Sequence, residues 1–142
     1  MDGILNIESI LLGASFLHKS DAIRKAGEIL QSSGYVTEKY IELMLKREAM
    51  TSTFMGNNLA IPHGVDGSES EIIHSGISVI QIPEGVSFGD GAVAYVVIGI
   101  AGKDGSHLDI LNQIAIACME EENIEKIRYA KSRQEILDVL GL

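Results

Sequence analysis

The chain has 142 residues, 46% of them apolar, and a mean hydropathy of +0.19, which argues against disorder and is enough for one buried core. A net charge of −9, with 5% aromatic residues and no tryptophan, argues against binding nucleic acid or anionic membrane through a general field or through base stacking. The lone cysteine, Cys118, has no internal partner for a disulfide, in keeping with a reducing compartment.

No apolar run reaches the ~20 residues that a bilayer-spanning helix needs; the longest, Ala92 to Ala101, falls well short. Met1-Asp2-Gly3-Ile4 lacks the basic flank of a signal peptide. A cytoplasmic protein without membrane insertion is therefore expected. No linker, low-complexity tract or repeat interrupts the chain, so residues 1–142 are expected to form a single domain.

Ile10 to Ala14 reads as a first strand. Ser20 is placed to cap a helix carrying Ala22, Ala26, Ile29 and Leu30 at helical spacing, and Gly34 closes it at positive φ. Thr37 caps a second helix with the stripe Ile41, Met44 and Leu45, ending near Met50. The texture then changes to short β-branched runs bounded by Gly, Pro or Asp: Leu59 to Pro62, Gly76 to Ile82 and Val93 to Ile100. The last is apolar on both faces, as a central strand is. Ser106 then caps a third helix, with Asp109 three residues on and Leu111, Ile114 and Cys118 on one face. Two shorter helices follow, near Ile124 to Ala130 and Arg133 to Leu140, the second capped by Ser132. The expected fold is α/β, a three-layer α/β/α arrangement with a mixed central sheet. Its order is strand-helix-helix-strand-strand-strand-helix-helix-helix.

Ala60-Ile61-Pro62-His63-Gly64 is the stretch most suited to chemistry. Pro62 fixes the chain before His63 and Gly64 lets it turn away, presenting an imidazole at a strand end where α/β folds bind ligands. The same pentapeptide also fits a plain loop histidine. His107, in the first turn of the third helix, shares the face of Leu111 and Ile114. It lies where free backbone N–H groups and the positive helix end suit phosphate; a half-buried histidine bonded to a carbonyl is the favoured alternative from these residues alone. Arg47 ends the second helix beside Glu48 and matters if it reaches an anion. No P-loop, no carboxylate cluster for Mg²⁺ and no zinc-type His or Cys pair occurs. Neither a metal nor a cofactor is expected.

In order and spacing these stretches resemble the enzyme IIA domain of the bacterial phosphoenolpyruvate-dependent sugar phosphotransferase system, mannitol/fructose class. The resemblance is carried by Arg47-Glu48, Thr53-Phe54-Met55-Gly56 and Ala60-Ile61-Pro62-His63-Gly64. It continues in Pro83-Glu84-Gly85-Val86-Ser87-Phe88-Gly89 and in Gly99-Ile100-Ala101-Gly102 with His107-Leu108. The Pro83 to Gly89 block is most similar to the mannitol branch, as a free-standing subunit. The resemblance implies a phosphotransferase component with a phosphohistidine at His63, phosphoryl stabilisation by His107 and charge stabilisation by Arg47. It implies phospho-HPr as donor and a cysteine of a IIB component as acceptor, beside a membrane permease met only transiently. Phe54, Met55, Val86 and Phe88 are candidates for an apolar docking rim, with core burial the alternative. A nitrogen-type regulatory module, in which phospho-His63 controls partner binding, and a fructose-specific IIA remain open alternatives.

Overall fold

The computed structural model describes residues 4–103 and 106–141, of residues 106–108 the backbone alone. Strand β1 (Ile10–Leu11) is followed by helices α1 (Lys19–Ser32) and α2 (Glu38–Met50). Strands β2 (Phe54–Gly56), β3 (Leu59–Ala60), β4 (Gly76–Ser87) and β5 (Val93–Ala101) come next. Helices α3 (Ser106–Cys118), α4 (Glu121–Arg128) and α5 (Arg133–Leu140) end the chain. The sheet order is β1-β4-β5-β3-β2. β1 runs parallel to β4 and β3 parallel to β5, whereas β4–β5 and β2–β3 are antiparallel. The expected mixed α/β/α sandwich is observed, with one short strand more than expected. Phe54–Gly56 pairs with Leu59 and Ala60 across Asn57 and Asn58, both at positive φ. Three residues ahead of a two-residue turn are too few to show an alternation.

Side-chain alternation on the two central strands sorts the core into two halves. Ile80, Ile82, Val97 and Ala101 face α1 and α2, packing with Ala22, Ile23, Ala26, Leu30 and Met44. Ile77, Val79, Val96, Ile98 and Ile100 face the other way, against Ile110, Ile114, Ile124, Ile127 and Ile136 of α3 to α5. Each fully buried isoleucine contributes about 1.5–3 kcal/mol of transfer free energy, so β4 and β5 are the rigid frame on which neighbouring segments hang.

Helix ends differ in part from expectation. Gly34 has φ +83, and Tyr35 N–H bonds Leu30 O while Gly34 N–H bonds Gln31 O, a Schellman closure. Ser132 caps α5, accepting from Glu135 N–H at 3.2 Å. Ser20, however, lies inside α1, which begins two residues earlier with His18 at the cap. Ser106 lies inside α3, whose cap falls outside the described residues. Thr37 occupies the α2 cap position, but its hydroxyl bonds the Glu71 carboxylate at 2.6 Å instead of capping. That bond ties α2 to the segment entering β4.

Candidate functional site

After Ala60 the chain leaves β3 but stays beside the C-terminal end of β5. Ile61 N–H bonds Thr53 O at 3.0 Å, and Ile100 N–H bonds Pro62 O at 2.9 Å. His63 faces Ile100 in a single parallel bridge. The imidazole is half-buried, and its Nδ1 lies 2.8 Å from Ile61 O. A carbonyl oxygen can only accept, so Nδ1 carries the proton and Nε2 carries the lone pair. The tautomer of the neutral ring is thus fixed by the backbone two residues upstream.

Around His63 lies a cleft of about 210 Å³ lined by Tyr40, Gly64, Asp66, Ser68, Glu69 and Gly102, among others. That is smaller than the ~300–1,000 Å³ of a typical small-molecule pocket, and the carboxylates of Asp66 and Glu69 make it no general anion trap. Gly64, expected to let the chain turn away after His63, does not have positive φ. It serves instead through close approach. A Cβ there would lie 2.7 Å from Ser68 Oγ and 2.7 Å from Tyr40 Cε1.

Arg47 lines the adjoining cleft with Lys46, Met50, Val65 and Asp66. The two clefts share Val65 and Asp66 as a wall, and one guanidinium nitrogen donates to Thr51 O at the end of its own helix. The side chain of His107 lies outside the described residues; its backbone opens α3. Among the rim candidates, Val86 and Phe88 are buried, and Phe54 packs its ring toward Phe88. Only Met55 of the four is exposed. Cys118 is buried, and burial pushes its thiol up to about 11, so it is a protonated core residue at neutral pH. Among the described residues no cluster of three His, Cys, Asp or Glu could hold a metal ion, and no helix is long and apolar enough to cross a membrane.

Two supporting residues were given no role of their own from the sequence. Tyr40, on α2, donates its hydroxyl to Ile100 O at 2.8 Å and accepts from Gly64 N–H at 2.9 Å. Glu48 is buried next to Arg47. Its Oε1 accepts from Thr53 N–H at 2.8 Å and Thr53 Oγ at 2.6 Å, and its Oε2 from Lys19 Nζ at 3.1 Å. Thr53 O in turn receives Ile61 N–H, so the carboxylate anchors the segment whose carbonyl fixes the imidazole. Burial pushes the Glu48 carboxyl up, but donors from Thr53, Ser52 and Lys19 outweigh it and hold the group below its ordinary 4.5. A carboxyl depressed in the folded state stabilises fully above its unfolded value, and this contribution is lost as pH falls through the folded one. Urea midpoints measured from pH 7 downward should therefore drop on the acid side for the natural chain and less steeply for Glu48→Gln. Equal acid limbs would remove Glu48 from the account.

Residues 3–141 match the family described as phosphoenolpyruvate-dependent sugar phosphotransferase system, EIIA 2. The mannitol-specific phosphotransferase enzyme IIA component of Bacillus subtilis is 54% identical over 138 residues, 97% of this chain and 96% of that one. The corresponding component of Staphylococcus aureus (strain N315) is 51% identical over 139 residues, 98% and 96% of the two chains. Among solved structures, enzyme IIAMTL from Escherichia coli, in complex with phosphorylated enzyme IIBMTL, superposes with a TM-score of 0.91 at 36% identity over 96% of each chain. A nitrogen regulatory IIA from Neisseria meningitidis superposes with a TM-score of 0.77 at 23% identity, covering 96% of each, a likeness of fold alone. The chain belongs to the EIIA 2 family of the phosphoenolpyruvate-dependent sugar phosphotransferase system.

Proposed function

We propose that this chain takes a phosphoryl group from phospho-HPr onto Nε2 of His63 and passes it to a cysteine thiolate of a IIB component, serving mannitol uptake. The observation that carries this reading is the Nδ1–H bond to Ile61 O, which leaves the lone pair on Nε2 at the edge of a small cleft. The neutral ring attacks phosphorus while the donor's P–N bond breaks, and the product is a phosphoimidazolium still holding its Nδ1 proton on Ile61 O. That retained proton makes neutral imidazole the leaving group when the IIB thiolate attacks, forming P–S as P–Nε2 breaks. The transferring group is loose and anionic, so catalysis is positioning and charge stabilisation. Arg47 supplies charge by reaching over the shared Val65–Asp66 wall, and His107 adds a further donor.

The mannitol-specific relatives and the Escherichia coli structure with phosphorylated IIB support a IIB partner and this sugar. A cleft too small for a sugar pocket fits a carrier that never touches the sugar. Residues 1–142 act as one domain in the cytoplasm, meeting the permease through IIB.

The test is incubation with phosphoenolpyruvate, enzyme I and HPr. One acid-labile phosphoryl group should appear, on Nε2 of His63 by nitrogen-15 spectroscopy; loading at another residue overturns the reading. A His107→Ala variant should still load but transfer to IIB slowly, by about 10²-fold if it removes one stabilising donor. Single-turnover transfer at the natural rate would take His107 out of the mechanism.

A further inference from the structure

The end of β5 holds the chain on both sides of His63, in two different ways. In a parallel pair a residue offers its N–H to the residue before its partner and its C=O to the residue after it. Ile100 keeps the first of these bonds, its N–H reaching Pro62 O at 2.9 Å. The second position, between Gly64 N–H and Ile100 O, is occupied by the Tyr40 hydroxyl, which accepts from the former at 2.9 Å and donates to the latter at 2.8 Å. A ladder that is regular where Leu59 and Ala60 face Val96 and Val97 thus takes up the Tyr40 hydroxyl as a bridge at Gly64.

The geometry points to Tyr40 as a positioning residue for His63, its hydroxyl acting as a spacer that holds the Gly64 side of the loop off β5 and sets the imidazole at the cleft. This rests on His63 being the phosphoryl acceptor. The spacer is rigid, because the Tyr40 ring is only 2% exposed and its Cε1 fills the place where a Gly64 Cβ would stand. The hydroxyl also stays a donor, since burial pushes it up to about 12 against the smaller opposing effect of the Gly64 N–H. The ring alone cannot replace it. Without the oxygen, Gly64 N–H and Ile100 O either pair directly, drawing His63 toward β5, or stand buried without partners.

The experiment uses Tyr40→Phe in the full chain. The fold should persist by circular dichroism and urea titration. The Gly64 amide and His63 ring nitrogen signals should move, and acceptance from phospho-HPr should slow by about 10- to 100-fold, with the endpoint still one phosphoryl group on His63. An unchanged rate, or unmoved signals, overturns the inference. If the natural chain is not loaded on His63, the carrier reading fails, and the signals of Tyr40→Phe alone decide whether the hydroxyl places the ring. If Tyr40→Phe does not fold, 3,5-difluorotyrosine at position 40, which keeps the oxygen but strengthens it as donor and weakens it as acceptor, takes its place. Because the spacer oxygen is retained, the Gly64 amide signal should move with the altered hydrogen bonds while loading changes little, and an unmoved amide signal overturns the inference.

Discussion

Replacing His63 by alanine should give a folded protein that accepts no phosphoryl group. The side chain is half-buried beside the C-terminal end of β5, and losing its bond to Ile61 O costs about 0.5–1.5 kcal/mol. Loss of acceptance should be complete because the hydroxyls that line the same cleft are poor substitutes. Ser68 donates to Val65 O, and Tyr40 is bonded on both sides and pushed up to about 12 by burial. His63→Gln separates the two roles, since a side-chain amide can still donate to a carbonyl but offers no nucleophilic nitrogen. Its stability should lie nearer that of the natural chain, and its loading should be as low as that of His63→Ala. Intact-mass measurement in alkaline solution after incubation with the donor relay reads the result. Stoichiometric loading of either variant would show that the acceptor lies elsewhere.

The sequence exposed what depends on side-chain type and period, and hid what depends on backbone partners. The unbroken apolar run Val93 to Ile100 marked the central strand because both faces are buried, and Gly34 and Ser132 marked helix ends because their φ value and hydroxyl act locally. His63 was visible through its proline and glycine neighbours. Its tautomer was not, because the deciding group is the carbonyl of Ile61. Tyr40 lay outside the stripe of Ile41, Met44 and Leu45 that marked α2, and its two partners are main-chain groups 24 and 60 residues away. Gly64 was visible as the residue after His63, but the close packing against Tyr40 and Ser68 that requires it was not. Val86 and Phe88 lie in a motif shared with a family whose members dock partners, yet they are buried; an apolar residue in a motif is as often there for the frame as for the surface.

Gly64→Ala should damage both stability and transfer, and the reason is specific enough to be dissected. The added Cβ would stand 2.7 Å from Tyr40 Cε1, 2.7 Å from Ser68 Oγ and 3.0 Å from Ser68 Cβ. Neither neighbour gives way cheaply. The Tyr40 ring is pinned by its two hydrogen bonds, and Ser68 opens the short 3₁₀ turn Ser68–Glu71 with its hydroxyl on Val65 O. The segment carrying His63 must therefore move instead. Overpacking of this kind costs about 1–3 kcal/mol, and displacing a reacting nitrogen by about 1 Å costs up to about 10²-fold in rate. Backbone strain contributes nothing, since Gly64 does not have positive φ. Ser68→Gly should therefore restore part of both losses by vacating two of the three contacts, leaving the clash with Tyr40. Urea midpoints and single-turnover loading for the two single variants and the double variant form a cycle whose coupling should be favourable, because the two sites touch. Strict additivity would mean that alanine at position 64 acts through something other than this contact. A Gly64→Ala protein as stable and as fast as the natural chain would mean that the loop is not held against Tyr40 at all, and the placement of His63 would then need another cause.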